Sequence, residues 1–145
     1  MTCQIELGDQ AQAFSLAAEM LVGTPFRLHG RDPATGLDCV GVLSASLAAI
    51  GRNAPLPDTY TLRTRFIAGL QGMAHDCGLR PAGTAIQPGD VLFVRISSCQ
   101  LHLLVAARNA MFVHAHAGLR RVILTGGPLF WPTIAHWRLA EPNQG

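Results

Sequence analysis

Apolar residues recur at helical spacing in the first half of the chain and gather in short runs in the second half. Three helices are predicted: residues 9–22 with Asp9 as the cap, residues 39–50 with Asp38 as the cap, and residues 62–76. In the first helix the apolar positions three or four residues apart are Phe14, Ala17, Ala18 and Leu21. Such stripes are typical of helices that pack one face against a core.

Beyond residue 78 the apolar runs are short and lie between turn residues, a pattern that is typical of strands. Five strands are predicted, over residues 91–96, 101–107, 111–117, 119–124 and 134–139. Their short connections favour an antiparallel meander. Helices followed by strands indicate an α+β fold, with N-terminal helices packed on a five-stranded antiparallel sheet.

Composition supports a single domain over residues 1–145, because 49% of the residues are hydrophobic and only 14% are charged. The formal net charge of +2 comes from scattered arginines, with no lysine and no basic cluster, so nucleic acid is not indicated as a partner. No apolar run approaches the roughly 20 residues that a membrane helix needs, so membrane insertion is not expected.

The beginning of the sequence carries Glu6 and Asp9 and lacks the basic segment of a secretory signal. We therefore expect synthesis in the cytoplasm without a signal peptide. The four cysteines, at positions 3, 39, 77 and 99, show no CxxC pair, and in a cytoplasmic setting free thiols are expected.

Cys39 differs from the other cysteines in its context, because it follows a loop that contains Gly30 and Gly36 and opens the second predicted helix. Backbone N–H groups and the positive end of the helix dipole favour a thiolate at such a position. The thiolate is the form that attacks carbonyl carbon, so Cys39 is a candidate nucleophile.

A base for this thiol is predicted in the hairpin formed by residues 101–107 and 111–117, which turns near Arg108 and Asn109. A turn centred on residue 108 pairs His102 with His114, whereas one centred on residue 109 pairs it with His116. The sequence leaves both registers open. In the proposed roles Cys39 attacks, His102 takes and returns the proton, and His114 orients the ring of His102.

The remaining histidines, at 29, 75, 116 and 136, are assigned no catalytic role, and core packing is expected for Trp131 and Trp137.

Several segments, in order, resemble the motifs of NlpC/P60 cysteine peptidases of the papain-like superfamily. Residues 21–27, Leu-Val-Gly-Thr-Pro-Phe-Arg, are similar to the GTPY segment, and residues 36–41, Gly-Leu-Asp-Cys-Val-Gly, to the DCSG nucleophile motif. Residues 87–93 resemble the QPGDLVFF strand, residues 102–105 the HVGIY strand, and residues 112–115 the strand of the third catalytic residue. The ordered set covers about residues 10–140 and is far more specific than any single motif.

The resemblance implies a papain-like fold and selects His114 over His116 as the third catalytic residue. It implies a hydrolase without metal or cofactor that cuts peptidoglycan stem peptides, often between γ-D-glutamate and a diamino acid, through an acyl-enzyme on Cys39. Compact members without a signal peptide occur with phage tails, so delivery to the cell wall in a tail-like particle, with particle proteins as partners, is a further expectation.

Two departures from the family pattern concern substrate and oxyanion binding. Phe26 stands where the family has a tyrosine whose hydroxyl helps to stabilise the oxyanion, and Val40 stands where it has serine. The side chain of His29 and the backbone N–H of Cys39 are candidate replacements for the missing donor. Asp38, Phe26 and His29 are therefore predicted to contact substrate, although Asp38 equally serves as a helix cap.

Three other functions remain open at this stage. One cysteine and two or three histidines, drawn from Cys39, His102, His114 and His116, make an acceptable tetrahedral zinc set. The departures at positions 26 and 40 fit a non-catalytic wall-binding or tail-assembly module on the same fold. Acyl transfer or amidase activity on another amide would use the same thiol and base with a different acceptor.

Overall fold

The computed structural model describes residues 7–52, 67–97, 100–126, 129 and 131–140. Three α-helices come first and a sheet follows them. Two short strands lie between the first and second helices. The helices are α1 (Leu7–Glu19), α2 (Cys39–Ala49) and α3 (Ile67–Asp76). The strands are β1 (Arg31–Asp32), β2 (Gly36–Leu37), β3 (Leu79–Pro81), β4 (Val91–Ser97), β5 (Gln100–Ala106), β6 (Met111–His116), β7 (Arg121–Gly126) and β8 (Thr133–Leu139).

Helix α1 buries Phe14 and Ala18 completely, as its apolar spacing predicts. It begins at Leu7 rather than after Asp9, so the prediction that Asp9 caps it is wrong. Helix α2 is apolar on all sides because it lies between α1 and the sheet, and Asp38 caps it as predicted. The described part of the third predicted helix is α3; residues 62–66 lie outside the described residues, as do Cys3 and Cys99.

The main sheet has six antiparallel strands in the order β3-β8-β4-β5-β6-β7. The predicted meander is confirmed for β4 to β7, but β8 crosses back and pairs with the other edge of β4, where Val91 lies opposite both Val105 and Trp137. Strand β3 was missed because three residues are too few to show an alternating pattern. The prediction of helices packed on an antiparallel sheet is otherwise confirmed.

The two faces of the sheet bury different clusters. The larger cluster, between the helices and the sheet, draws residues from all three helices and from every strand of the six-stranded sheet. The smaller cluster, on the opposite face, contains Leu92, Val94, Leu104, Ala106 and Phe112. Because successive strand residues point to opposite faces, neighbours in β4 and β5 enter different clusters.

A turn at Gln87 to Asp90 introduces the central strand β4. Gly89 adopts a φ of 91°, which few residues other than glycine adopt, and the Asp90 N–H donates to the Gln87 carbonyl at 3.0 Å. The buried Asp90 carboxylate accepts from the Arg138 side chain and lies 2.6 Å from His136 Nε2. This ion pair joins the start of β4 to β8 and gives His136 a structural contact.

Within the described ranges, none of the helices has the length and apolar character required to cross a bilayer.

Candidate active site

Cys39 is the first residue of α2, and its thiol lies beside strand β5. Hydrogen bonds from the backbone N–H groups of Leu103 and Val40 reach the sulfur. Leu103 directly follows His102 in the chain, so the contact brings the nucleophile candidate to the strand that carries the candidate base. The contact places the Cys39 thiol at the end of α2 beside the backbone of the strand that carries His102.

Asp38 holds the loop before Cys39 in place through three hydrogen bonds. Its Oδ1 accepts from the Gly41 N–H at 2.8 Å and from Arg31 Nη1 at 2.8 Å, and its Oδ2 accepts from the His29 N–H at 2.9 Å. Its side chain is only 9% exposed. Arg31 Nη1 also donates to the carbonyl of Gly30, and this bond draws the same loop together. Asp38 thus acts first as helix cap and loop anchor, with little surface left for substrate.

Two glycines allow this loop to lie directly on the first turn of α2. A Cβ atom at Gly41 would come within 2.1 Å of the Gly30 carbonyl oxygen, and a Cβ at Gly30 would come within 2.2 Å of the Gly36 carbonyl oxygen. Neither position can hold a larger side chain without moving backbone. The glycine at the end of the 36–41 motif is therefore required by packing.

The Cys39 thiol is neutral in the free protein. Burial raises its pKa to about 12 from an ordinary value of 9.0, and the Asp38 charge adds to that effect, while the Leu103 and Val40 N–H groups and Arg31 act in the opposite direction. The backbone N–H groups thus favour the thiolate as predicted, but burial outweighs them in the free protein. A base has to remove the proton during the reaction.

The rings of His102 and His114 contact each other. His102 Nε2 lies 3.0 Å from His114 Nδ1, and the two rings meet nearly at a right angle, 88°, with centroids 5.1 Å apart. The carbonyl of Ala115 also accepts a hydrogen bond from the His102 ring. The structure therefore brings His114 to His102 in the arrangement proposed from the sequence.

The register of the hairpin between β5 and β6 is not the one that was expected to pair His102 with His114. Strand β5 pairs with β6 at only two positions, Val105 with Val113 and Ala106 with Phe112, which centres the hairpin on residue 109. Such a turn was expected to pair His102 with His116. Because the strands are unpaired beyond Val105, His102 reaches His114, its diagonal neighbour, instead.

The outer side of the His114 ring is also occupied. Its Nε2 lies 3.0 Å from Thr125 Oγ1 on β7, and its ring packs edge-on against Trp131 with centroids 6.1 Å apart. His116 lies further out and its Nδ1 accepts from the Leu119 N–H at 3.0 Å. Trp137 lies in the core as expected, and Trp131 packs against the smaller core cluster and also contacts His114.

Both paired histidines are held in their neutral forms. Burial, followed by the charges of His114 and His116, lowers the pKa of His102 to about 3, and burial followed by the charge of His116 lowers the pKa of His114 to about 4. A neutral imidazole has one nitrogen free to accept a proton. At neutral pH the pair is therefore in the form that a general base requires.

Phe26 and His29 lie in the loop between α1 and β1. The Phe26 N–H donates to the Arg120 carbonyl at 2.9 Å, and its side chain packs against the larger core cluster. His29 adopts a φ of 61°, and its Nε2 is buried without a hydrogen-bond partner among the described residues. The substrate contacts of Phe26 and His29 therefore stay predictions, because the Phe26 side chain packs against the core and the His29 Nε2 is buried.

The geometry of the histidines does not favour the zinc alternative. In a zinc site the nitrogen lone pairs converge on the ion, whereas His102 Nε2 and His114 Nδ1 face each other at hydrogen-bonding distance. Across the part of the chain that the structure describes, no group of three or more His, Cys, Asp or Glu side chains is placed to hold a metal ion.

Sequence reasoning missed three contributors to the site. Thr125 and the Leu103 N–H are recognisable only from strand register, because neither residue type suggests chemistry on its own. Arg31 carried a usable signal, since an arginine seven residues before a buried aspartate is a natural partner across a short hairpin.

No protein-family model matches the sequence, and a search of curated proteins finds no match either. Among solved structures, NlpC1 from Trichomonas vaginalis aligns with a TM-score of 0.67 at 20% identity, over 94% of this chain and 46% of that one. The peptidoglycan hydrolase RipB from Mycobacterium tuberculosis gives 0.67 at 18% identity, over 93% and 67%. The NlpC/p60 domain of the peptidoglycan hydrolase SagA gives 0.59 at 20% identity, over 90% and 98%. The chain thus spans about half the length of the Trichomonas proteins NlpC1 and NlpC2 that it matches.

Proposed function

We propose that this chain, which has the NlpC/P60 fold, is a cysteine hydrolase that cleaves peptidoglycan stem peptides. The observation that carries the proposal is the contact between His102 Nε2 and His114 Nδ1 beside a cysteine that accepts a hydrogen bond from Leu103. A thiol, an imidazole and a second imidazole behind it are the three parts of a cysteine peptidase centre.

In the first half of the proposed reaction, the Cys39 sulfur attacks the carbonyl carbon of the scissile amide while His102 takes the thiol proton. The tetrahedral oxyanion collapses, the carbon–nitrogen bond breaks, and His102 gives the proton to the departing amine. The product on the protein is a thioester with Cys39. Proton removal accompanies attack, because the raised thiol pKa and the lowered His102 pKa disfavour a preformed ion pair.

In the second half, water attacks the thioester carbonyl while His102 accepts a proton from it. The carbon–sulfur bond breaks, the proton returns from His102 to the Cys39 sulfur, and a carboxylic acid leaves, which loses its remaining proton to solvent. While His102 is an imidazolium, its Nε2–H donates to His114 Nδ1, and this hydrogen bond stabilises the positive charge. The cycle consumes one water and requires no cofactor.

The substrate class is supported by the structural neighbours RipB and SagA, both described as peptidoglycan hydrolases. The resemblance of the motifs to NlpC/P60 peptidases supports the bond between γ-D-glutamate and a diamino acid. Association with tail-like particles stays a prediction.

The test is to incubate the protein with the stem peptide L-Ala-γ-D-Glu-diaminopimelate and to identify products by mass spectrometry. The wild type should release L-Ala-D-Glu, and Cys39→Ala should release none while keeping its circular dichroism spectrum. Cys77→Ala is the matched control, because Cys77 is a buried thiol that contacts Met73 on α3, and it should retain activity.

Equal product from wild type and Cys39→Ala would refute the proposal. Cleavage only of a different amide would retain the mechanism and replace the substrate. A product that contains an added amine acceptor in place of water would favour the acyltransferase alternative, and binding to sacculi without any Cys39-dependent product would favour a non-catalytic wall-binding module.

A further inference from the structure

Three polar side chains, one on each of the strands β5, β6 and β7, continue the site outward from the cysteine. His102 Nε2 contacts His114 Nδ1 at 3.0 Å, and His114 Nε2 contacts Thr125 Oγ1 at 3.0 Å. His114 is only 3% exposed, and both of its ring nitrogens have partners. The ring therefore has one hydrogen-bond partner on each side, and Thr125 supplies the outer one.

Strand register explains how Thr125 reaches this ring. In the ladder between β6 and β7, His114 lies opposite Ile123 and Phe112 lies opposite Thr125. Thr125 is therefore the diagonal neighbour of His114 on the same face of the sheet. Its backbone is fixed by a ladder of six residue pairs, so the hydroxyl is presented from a rigid element.

The protonation of the two imidazoles determines whether the Thr125 hydroxyl donates or accepts the hydrogen bond with His114. Each neutral imidazole carries one ring proton, so only one of the two facing nitrogens of His102 and His114 can hold a proton between them. When His102 takes the Cys39 proton it becomes an imidazolium, and its Nε2–H then has to donate to His114 Nδ1. His114 must at that moment carry its own proton on Nε2, and this Nε2–H donates a hydrogen bond to Thr125 Oγ1.

We propose that Thr125 is a positioning residue of the active site, which holds His114 in the Nε2–H form that accepts the His102 hydrogen bond during catalysis. The inference rests on the proposed function for its catalytic meaning and on the contacts for its geometry. A hydroxyl is required at this position, whereas the methyl group of Thr125 is not.

The test compares Thr125→Val, which is isosteric and removes the hydroxyl, with Thr125→Ser, which keeps it. Thr133→Val is the matched control, because it removes a hydroxyl from an exposed position of β8. Nitrogen-15 NMR of histidine-labelled protein reports the His114 Nε2–H directly, and the rate of Cys39 alkylation by iodoacetamide at pH 7 reports the base without any substrate. On the stem peptide, kcat and KM are measured separately.

We expect Thr125→Val to lose the hydrogen-bonded His114 Nε2–H signal and to lower both Cys39 alkylation and kcat by roughly tenfold, with KM unchanged, in line with one lost hydrogen bond. Thr125→Ser and Thr133→Val should behave as the wild type. An unchanged His114 signal in Thr125→Val would overturn the proposal, and so would a lost signal with unchanged alkylation. Because the NMR signal and the alkylation rate do not use the stem peptide, failure to cleave it would count against the proposed function alone.

Discussion

His102 Nε2 faces His114 Nδ1 at 3.0 Å, although the hairpin register, if continued along both strands, would set His102 opposite His116. The contact forms because the ladder between β5 and β6 is only two residue pairs long. The two histidines therefore meet because the strands stop pairing before they reach His102, and not because the two residues are paired in the ladder.

The pH dependence of Cys39 alkylation follows from its raised pKa. A thiol with a pKa of about 12 gains thiolate continuously as pH rises, so labelling by iodoacetamide should increase from pH 7 to 10 without a plateau. A cysteine-containing model peptide, with a pKa near 8.5, should approach its plateau over the same range. Site-resolved mass spectrometry measures both rates, and a plateau for Cys39 below pH 8 would contradict the neutral resting thiol.

Stability should fall as pH falls through the range in which unfolded histidines take up protons. The folded pKa values of His102 and His114, about 3 and about 4, lie below the ordinary value of 6.5. Between pH 6.5 and 4.5 the unfolded chain therefore binds more protons than the folded protein, which lowers the free energy of unfolding.

Urea denaturation at several pH values measures this effect. His114→Gln should show a shallower loss because one of the two shifted groups is gone. His75→Gln, at a side chain that is 90% exposed, should follow the wild type. If the free energy of unfolding depends on pH equally in His114→Gln and the wild type, the His114 imidazole titrates normally in the folded wild type.

Gly41→Ala should destabilise the loop that presents Cys39. The new methyl carbon would lie 2.1 Å from the Gly30 carbonyl oxygen, so backbone has to move, at a cost of about 1–3 kcal/mol. Gly72→Ala is the control, since a Cβ there meets nothing within 4 Å in helix α3 and should stabilise the protein by up to ~1 kcal/mol. Thermal denaturation compares the two, and equal stability would disprove the close approach.

Phe26→Tyr should raise kcat, because it restores the hydroxyl that the family pattern places near the oxyanion. A single oxyanion donor contributes on the order of 10²–10³ in kcat. If the buried Nε2 of His29 has taken over this role, His29→Gln should lower kcat and the added Phe26→Tyr should recover it. Steady-state kinetics on the stem peptide decide this, and a Phe26→Tyr variant no faster than wild type in either background would exclude the hydroxyl from the site.

Local patterns were enough to predict most of the fold. Asp38 was identified as the cap of α2 because a side-chain acceptor directly precedes a long apolar run, and strands β4 to β7 follow short, well-separated runs. The return of β8 to β4 was not predictable, because strand order depends on which edge offers the better apolar surface. Strand β3 was too short to carry any periodic signal.

The site was predicted less completely than the fold. Cys39, His102 and His114 were named from residue type and spacing, but the electrostatic state of the thiol depends on burial, which one sequence does not reveal. Thr125 was missed because its partner is set by the register between β6 and β7. Backbone groups such as the Leu103 N–H have no signature in the sequence at all.

Because the ladder between β5 and β6 ends early, backbone groups that would pair within the sheet contact the Cys39 and His102 side chains instead. Continued in register, the ladder would bring Leu103 opposite Ala115. Instead the Leu103 N–H reaches the Cys39 sulfur and the Ala115 carbonyl accepts from the His102 ring. The polar groups that would have closed the sheet serve the proposed nucleophile and its proposed base, so we expect any variant that completed the ladder to gain sheet structure and lose these contacts.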